Sequence, residues 1–280
     1  MRARARRALD ERCSRKGSGE PVIWQNPVAG LVVGVLVGAT GVGGGALMTP
    51  LLVLLLGVSP HTAIGTDLIY ASLTKMFGVS VHSFEKRVDW QIVRRLATGS
   101  IPVAIATVLW LHRTASDGVR EGAIVVALGV VLILTAIAMV AMPKLARLGA
   151  RLRIADPSRY RLRQPVLTML AGALLGLLVT LTSIGAGSLG VVMLLFLYPL
   201  RLTPARLVAT DLAHAIPLAL VAGIGHLVLG NVDFSLLGQL LLGSLPGVWI
   251  GAHFGGKLPD VALRLAIAVV LGGVGIKLLA

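Results

Sequence analysis

The chain has 280 residues, 56% of them hydrophobic and 14% charged, with a mean hydropathy of +0.88. A soluble domain carries about a quarter charged residues, so this composition excludes one. The formal charge of +14 does not mark a nucleic-acid binder, because aromatics make up only 4% and the basic residues sit in a tail and in the connections between apolar runs.

Residues 1–27 form a basic tail carrying Arg2, Arg4, Arg6, Arg7, Arg12, Arg15 and Lys16. It lacks the short apolar segment and small-residue cleavage site of a signal peptide and reads as cytoplasmic; a transit peptide is the alternative. The single cysteine, Cys13, lies in it and offers neither an intrachain disulfide nor a metal cluster.

From Gln25 through Ile64 there is no Asp, Glu, Lys or Arg, and the run Gln164 to Leu200 is also free of charge. A spanning helix needs about 20 residues, so each run is too long for one straight span and too short for two spans and a loop. Each run has glycines at its middle: Thr40-Gly41-Val42-Gly43-Gly44-Gly45 in the first and Thr182-Ser183-Ile184-Gly185-Ala186-Gly187 in the second. We expect both runs to be broken or re-entrant there. Irregular backbone at that depth survives only where protein or a watery cavity satisfies it, and matched breaks in two halves point to a transporter's substrate site.

The expected fold is an all-α integral membrane protein with about eight transmembrane helices. The expected spans are roughly 28–56 (broken), 62–83, 92–111, 119–142, 165–198 (broken), 206–229, 235–254 and 261–279. They fall in two four-helix repeats, residues 28–142 and 165–280, around a basic connection at 143–164 that holds seven cations and one acid, Asp156. With tail, central connection and C-terminus all cytoplasmic, 19 of the 26 cations fall inside, as the positive-inside rule favours. Arg201 and Arg206 then fall outside, and Asp89 falls at an inner turn.

The repeat is visible residue by residue. Ser59-Pro60 matches Thr203-Pro204, Gly65-Thr66-Asp67-Leu68 matches Ala209-Thr210-Asp211-Leu212, and His82 matches His226. Val88-Asp89-Trp90 matches Val232-Asp233-Phe234, and Gly99-Ser100-Ile101-Pro102 matches Gly243-Ser244-Leu245-Pro246, all at a spacing of 144 residues. The glycine segments align at 142. Four spans per repeat give both repeats one orientation, with an axis along the membrane normal.

Amides freed at a helix break bind anions. Substrate-binding candidates are therefore Thr40, Gly41, Gly43, Gly44 and Gly45 in the first segment, and Thr182, Ser183, Gly185, Gly187 and Ser188 in the second. Close helix packing is the competing reading of the glycines, and the four-residue spacing of Gly243, Gly247, Gly251 and Gly255 reads as packing alone. Lys75 joins the candidates, because a lysine in mid-membrane costs roughly 2.5 to 3.5 kcal/mol on insertion scales and calls for an anionic partner, either a substrate or Asp211. Asp67 and Asp211 are candidates for proton coupling, with helix capping as the alternative. His82, His214 and His226 are candidates for a proton relay, with packing as the alternative. Asp89 and Asp233 read as helix N-caps. No metal site, cofactor or catalytic constellation is expected.

The segment Gly41-Val42-Gly43-Gly44-Gly45, then Thr49-Pro50-Leu51, Ser59-Pro60 and Gly65-Thr66-Asp67, with its altered second copy, resembles the TauE/SafE sulfite exporter family over about residues 28 to 279. The second glycine segment and the long basic tail depart from the family pattern. The resemblance implies a permease of the bacterial plasma membrane for small sulfur-containing anions such as sulfite or sulfonates. The partners expected are the lipid bilayer and a small anionic substrate, with no nucleic acid; a homo-oligomer is compatible with all of this. Two other classes compete: an intramembrane enzyme acting on a lipid phosphate, and a non-transporting accessory subunit.

Overall fold

The structure, a computed structural model, describes residues 24–40, 45–81, 87–114, 120–155, 157–254 and 260–279. Among them the regular elements are ten α-helices. In chain order they are α1 (Gln25–Thr40), α2 (Gly45–Leu54), α3 (Pro60–Val81), α4 (Trp90–Thr114) and α5 (Arg120–Ala155), then α6 (Pro157–Thr182), α7 (Ser188–Leu197), α8 (Pro204–Val228), α9 (Phe234–Phe254) and α10 (Asp260–Leu279). By length and composition, α4, α5, α6, α8 and α9 can each cross a membrane. Their outer faces are apolar: Val126, Val130, Leu134, Ile137 and Val140 make an exposed stripe along α5, while Leu128, Leu132 and Thr135 on its other face are fully buried. Exposed apolar stripes of this length belong against lipid.

Local sequence sets the helix starts. Pro60 and Pro204 stand at the first turns of α3 and α8, where a missing N–H costs nothing. The preceding hydroxyls cap them: Ser59 Oγ accepts from the Thr62 amide at 3.4 Å and Thr203 from the Arg206 amide at 3.4 Å. Asp233 caps α9, accepting from the Leu236 amide at 3.0 Å, and Asp89 accepts more loosely from that of Ile92 at 3.4 Å. The capping reading of these two aspartates holds, whereas Asp67 and Asp211 cap nothing: both lie inside their helices, fully or almost fully buried.

Glycine sets the closest helix pairs. A Cβ at Gly30, Gly34 or Gly38 of α1 would overlap the backbone of Leu240, Ser244 or Val248 on α9. From the other side, Gly243, Gly247 and Gly251 leave no room against Pro27, Leu31 and Val35. The same contact joins α4 to α6, with Gly172 against Leu96, Gly176 against Ser100 and Gly99 against Met169. In both pairs residue numbers rise together, so the partners run parallel, backbone to backbone, as small-residue faces allow. The two contacts are related by the sequence offsets: Leu96 and Leu240 are 144 apart, Gly30 and Gly172 are 142 apart.

The chain reverses at residues 183–187. α6 ends at Thr182 and α7 returns along it, so that Tyr160 and Gln164, at the start of α6, reach the end of α7. Tyr160 Oη donates to the Phe196 and Leu197 carbonyls at 2.8 and 3.0 Å, and Gln164 Nε2 to that of Leu197 at 2.6 Å. These side chains take up carbonyls that a helix C-terminus leaves unpaired. The second glycine segment is therefore the turn of a helical hairpin, one of the two forms expected for it. Residues 107–114 of α4, about 12 Å of helix, extend past its tip.

A hairpin that returns to its own face changes the sidedness. Arg201, which follows α7, bonds Asp89, which precedes α4, so the two share one face. The expectation that put Arg201 and Arg206 outside and Asp89 inside is overturned. Directions follow from the contacts. α8 begins at this face and ends where His226 meets the Thr180 carbonyl near the top of α6, at 2.9 Å. α3 runs against α8, with Ile69 beside Gly223, and begins where Thr66 meets Asp233. Hence α1 runs opposite to α6, and α1 begins and α10 ends on the face away from the α5–α6 junction. The central stretch 143–164 is itself helical, α5 running to Ala155 and α6 starting at Pro157; Asp156 lies outside the described residues.

Candidate functional site

Five elements converge around one buried lysine. Lys75, on α3, is 2% exposed, and its Nζ donates to the Ala186 carbonyl at the hairpin tip at 2.8 Å. Asp67 lies two turns earlier on α3 and Asp211 lies on α8, 0% and 2% exposed; both are near enough for the lysine's charge to act on them. Neither carboxylate comes within 4.0 Å of Nζ as an ion pair among the described residues, so the lysine sits between them and on the tip rather than locked to either.

The carboxylates differ in their surroundings. Thr49, on α2, donates to Asp67 Oδ2 at 2.5 Å, while Asp67 Oδ1 has no hydrogen-bond partner among the described residues and the Ser183 hydroxyl stands near the carboxylate. Asp211 Oδ2 is also without a partner among the described residues, and its Oδ1 lies where a Cβ on Gly190 of α7 would be. Position 190 is therefore a glycine because the carboxylate occupies the space.

At the tip itself, Ser183 has φ 59, Gly185 φ 112 and Gly187 φ 128, the left-handed region that glycine tolerates and serine rarely adopts. Thr182 closes α6 by donating to the Leu178 carbonyl at 2.6 Å and accepting from the Ile184 amide at 3.2 Å. Its hydroxyl thus ties the end of α6 to the turn. The Ser183 and Ser188 hydroxyls are buried with no partner among the described residues. α7 starts without a side-chain cap, and of its first amides Gly190 is taken by the Gly185 carbonyl and Val191 by that of Gly187. Those of Ser188 and Leu189 remain, at the positive end of the helix.

Two further pairs flank the carboxylates. Ser100 on α4 and His214 Nε2 on α8 are 2.8 Å apart, both buried. At the positions offset by 144, Ser244 on α9 and Tyr70 on α3 face each other, buried, with hydroxyls that make no well-aligned bond. His226 is held between the Thr180 carbonyl and Asn231 Nδ2, at 2.9 and 3.3 Å, outside this cluster. The site thus unites Lys75, Asp67, Asp211, His214, Ser183, Gly185, Gly187 and Ser188 and leaves His226 apart. Gly41, Gly43, Gly44 and His82 lie outside the described residues, as does the side chain of Thr40; Gly45 opens α2. Thr49, Tyr70, Ser100, Gly190 and Ser244 are additions. Ser100 and Ser244 were visible as repeat markers, but Tyr70 and His214 share no chemistry, which hid their equivalence.

An all-helical chain with an apolar outer face, a hairpin that turns back inside the bundle, and a lysine with two carboxylates buried at its tip is a polytopic membrane transporter. The chain belongs to the sulfite exporter TauE/SafE family, whose model matches residues 27–278. It is 42% identical over 255 residues to the "Probable membrane transporter protein YjnA" of Bacillus subtilis (strain 168), covering 89% of this chain and 97% of that one. It is 28% identical to YdhB over 249 residues and to YunE over 271, two proteins of the same organism named as probable membrane transporters, across 89% and 90% of this chain and 96% and 95% of theirs. No solved structure matches.

Proposed function

We propose that this protein is a secondary transporter, not an enzyme, that carries small sulfur-containing anions such as sulfite or organosulfonates across the bacterial inner membrane. The observation that carries the reading is Lys75, buried at 2% exposure and bonded only to a hairpin carbonyl among the described residues. An oxyanion that takes Nζ from Ala186 would find the Ser183 and Ser188 hydroxyls and the first amides of α7 as further donors. Charge-assisted donors of this kind, preorganised away from water, suit a small oxyanion.

Counting charges supports proton coupling. One lysine faces two carboxylates, so an anion entering beside Lys75 meets net negative charge unless a proton comes with it. Asp67 Oδ1 and Asp211 Oδ2, both without partners among the described residues, are the acceptors for that proton; His214, bonded to Ser100, is the neighbouring relay.

The matched contacts support a frame of two inverted repeats, α1–α5 and α6–α10, related by a pseudo-two-fold in the membrane plane, each opening with a hairpin. The repeats would rock about α3 and α8 to expose the site to either side. Arg87, Arg201 and Arg206 stand on the α5–α6 face with the cations of the 143–164 stretch, and the positive-inside rule favours that face as the cytoplasmic one. In this reading α1 begins and α10 ends on the outer side.

The test is flux of labelled sulfite in proteoliposomes. The reading predicts saturable uptake, competed by sulfonates, that Lys75→Ala abolishes. Uptake at wild-type rate in that variant would remove Lys75 from the mechanism.

A further inference from the structure

Each buried carboxylate is preceded by a threonine that is tied to the other half of the molecule. The Asp89 amide donates to Thr210 Oγ1 at 3.0 Å, and the Asp233 amide to Thr66 Oγ1 at 3.0 Å. Both threonines are fully buried. The two bonds lie on opposite faces, and each joins the turn before α4 or α9 to the start of the helix that bears Asp211 or Asp67. Separating the two turns from α8 or α3 is what would open a path from that face to the nearer carboxylate.

The two closures are unequal. On the α5–α6 face, Arg201 clamps Asp89 with two bonds, Nε to Oδ2 at 2.8 Å and Nη2 to Oδ1 at 3.0 Å, and donates to Gln91 Oε1 at 2.8 Å. Arg206 adds a second cation at 3.5 Å, and the Asp89 side chain is only 5% exposed. On the other face the positions 144 residues earlier are Gly57 and Thr62. Asp233 makes no ion pair among the described residues and uses its carboxylate only to cap α9. A bidentate guanidinium–carboxylate pair, its carboxylate buried and its Arg201 side chain 34% exposed, adds to the resistance that an amide–hydroxyl bond gives alone.

We infer that Thr66 and Thr210 anchor two gates of unequal strength, and that the resting protein opens its site preferentially to the face on which α1 begins, the Arg201–Asp89–Arg206 cluster holding the other face shut. The inference rests on the transporter reading and adds which side the empty site waits on.

It is tested without any substrate. In a chain carrying Cys13→Ser, a Ser183→Cys reporter at the hairpin tip is labelled by a membrane-impermeant maleimide in right-side-out and inside-out vesicles. The expected result is labelling from the α1-start face alone. Arg201→Gly with Arg206→Thr copies the residues of the unreinforced face and raises labelling from the α5–α6 face roughly tenfold, the effect of moving a closed-state preference by one decade. Thr66→Val, which loosens only the unreinforced gate, raises labelling from the α1-start face and leaves the other unchanged. Equal labelling from both faces in the parent chain, or no change in the double variant, overturns the unequal gates while leaving the transporter reading standing. No labelling from either face in any of the chains overturns that reading, and the gates with it.

Discussion

At the scale of single residues, the site is built from groups whose obvious partners are withheld. Lys75 spends one donor on a backbone carbonyl and none on a carboxylate, although two carboxylates are near. Asp67 has one oxygen bonded to Thr49 and one idle. An idle buried oxygen costs about 1 to 3 kcal/mol, which a merely structural lysine–aspartate pair would recover by closing. Thr49→Val removes the hydroxyl that donates to Asp67 and should lower stability in detergent by about 1 to 3 kcal/mol, read as an earlier thermal transition. Gly190→Ala pushes a methyl into Asp211 Oδ1. It should cut sulfite flux at least about tenfold, a loss of 1.4 kcal/mol in the carboxylate's positioning, with the folded protein still recovered by size exclusion. Asp211→Asn should uncouple flux from an imposed proton gradient, checked by whether acidifying one side still drives uptake.

At the scale of elements, the helices were legible and their directions were not. The charge-free runs, the Ser/Thr-Pro starts and the small-residue faces announced where helices begin and which pairs lie close. Gly243, Gly247 and Gly251 pack as their spacing suggested. What composition could not supply was the turn at Ser183 to Gly187. A kinked span and a hairpin have the same apolar length, and long-range bonds such as those from Tyr160 and Gln164 to the end of α7 separate them. That single ambiguity inverted the sidedness of every later helix and of Arg201. The hairpin makes a definite prediction: a reporter fused after Ala280 and one inserted between α5 and α6 should report opposite sides of the membrane. The same side for both would restore the through-going span. The parallel contacts of α1 with α9 and of α4 with α6 are equally open to test. Gly34→Val or Gly176→Val drives a side chain into a backbone and should destabilise by about 1 to 3 kcal/mol or more.

At the scale of the whole molecule, the same offsets of 142 and 144 that relate the sequence also relate the contacts: Gly30 on Leu240 with Gly172 on Leu96, Thr66 at Asp233 with Thr210 at Asp89. The likeness is incomplete where chemistry is concentrated. Lys75 has Ala219 as its counterpart, Tyr70 has His214, and Arg201 has Gly57. A frame that repeats, carrying one lysine rather than two, gives a single off-centre place for a negative charge. The measurement that bears most directly on this is equilibrium binding of labelled sulfite to the purified protein in detergent, comparing the parent chain with Lys75→Ala. The account predicts one saturable site that the variant weakens at least about a hundredfold, the scale of a lost charge-assisted contact, with the elution profile unchanged. Equal affinity in the two proteins would contradict it.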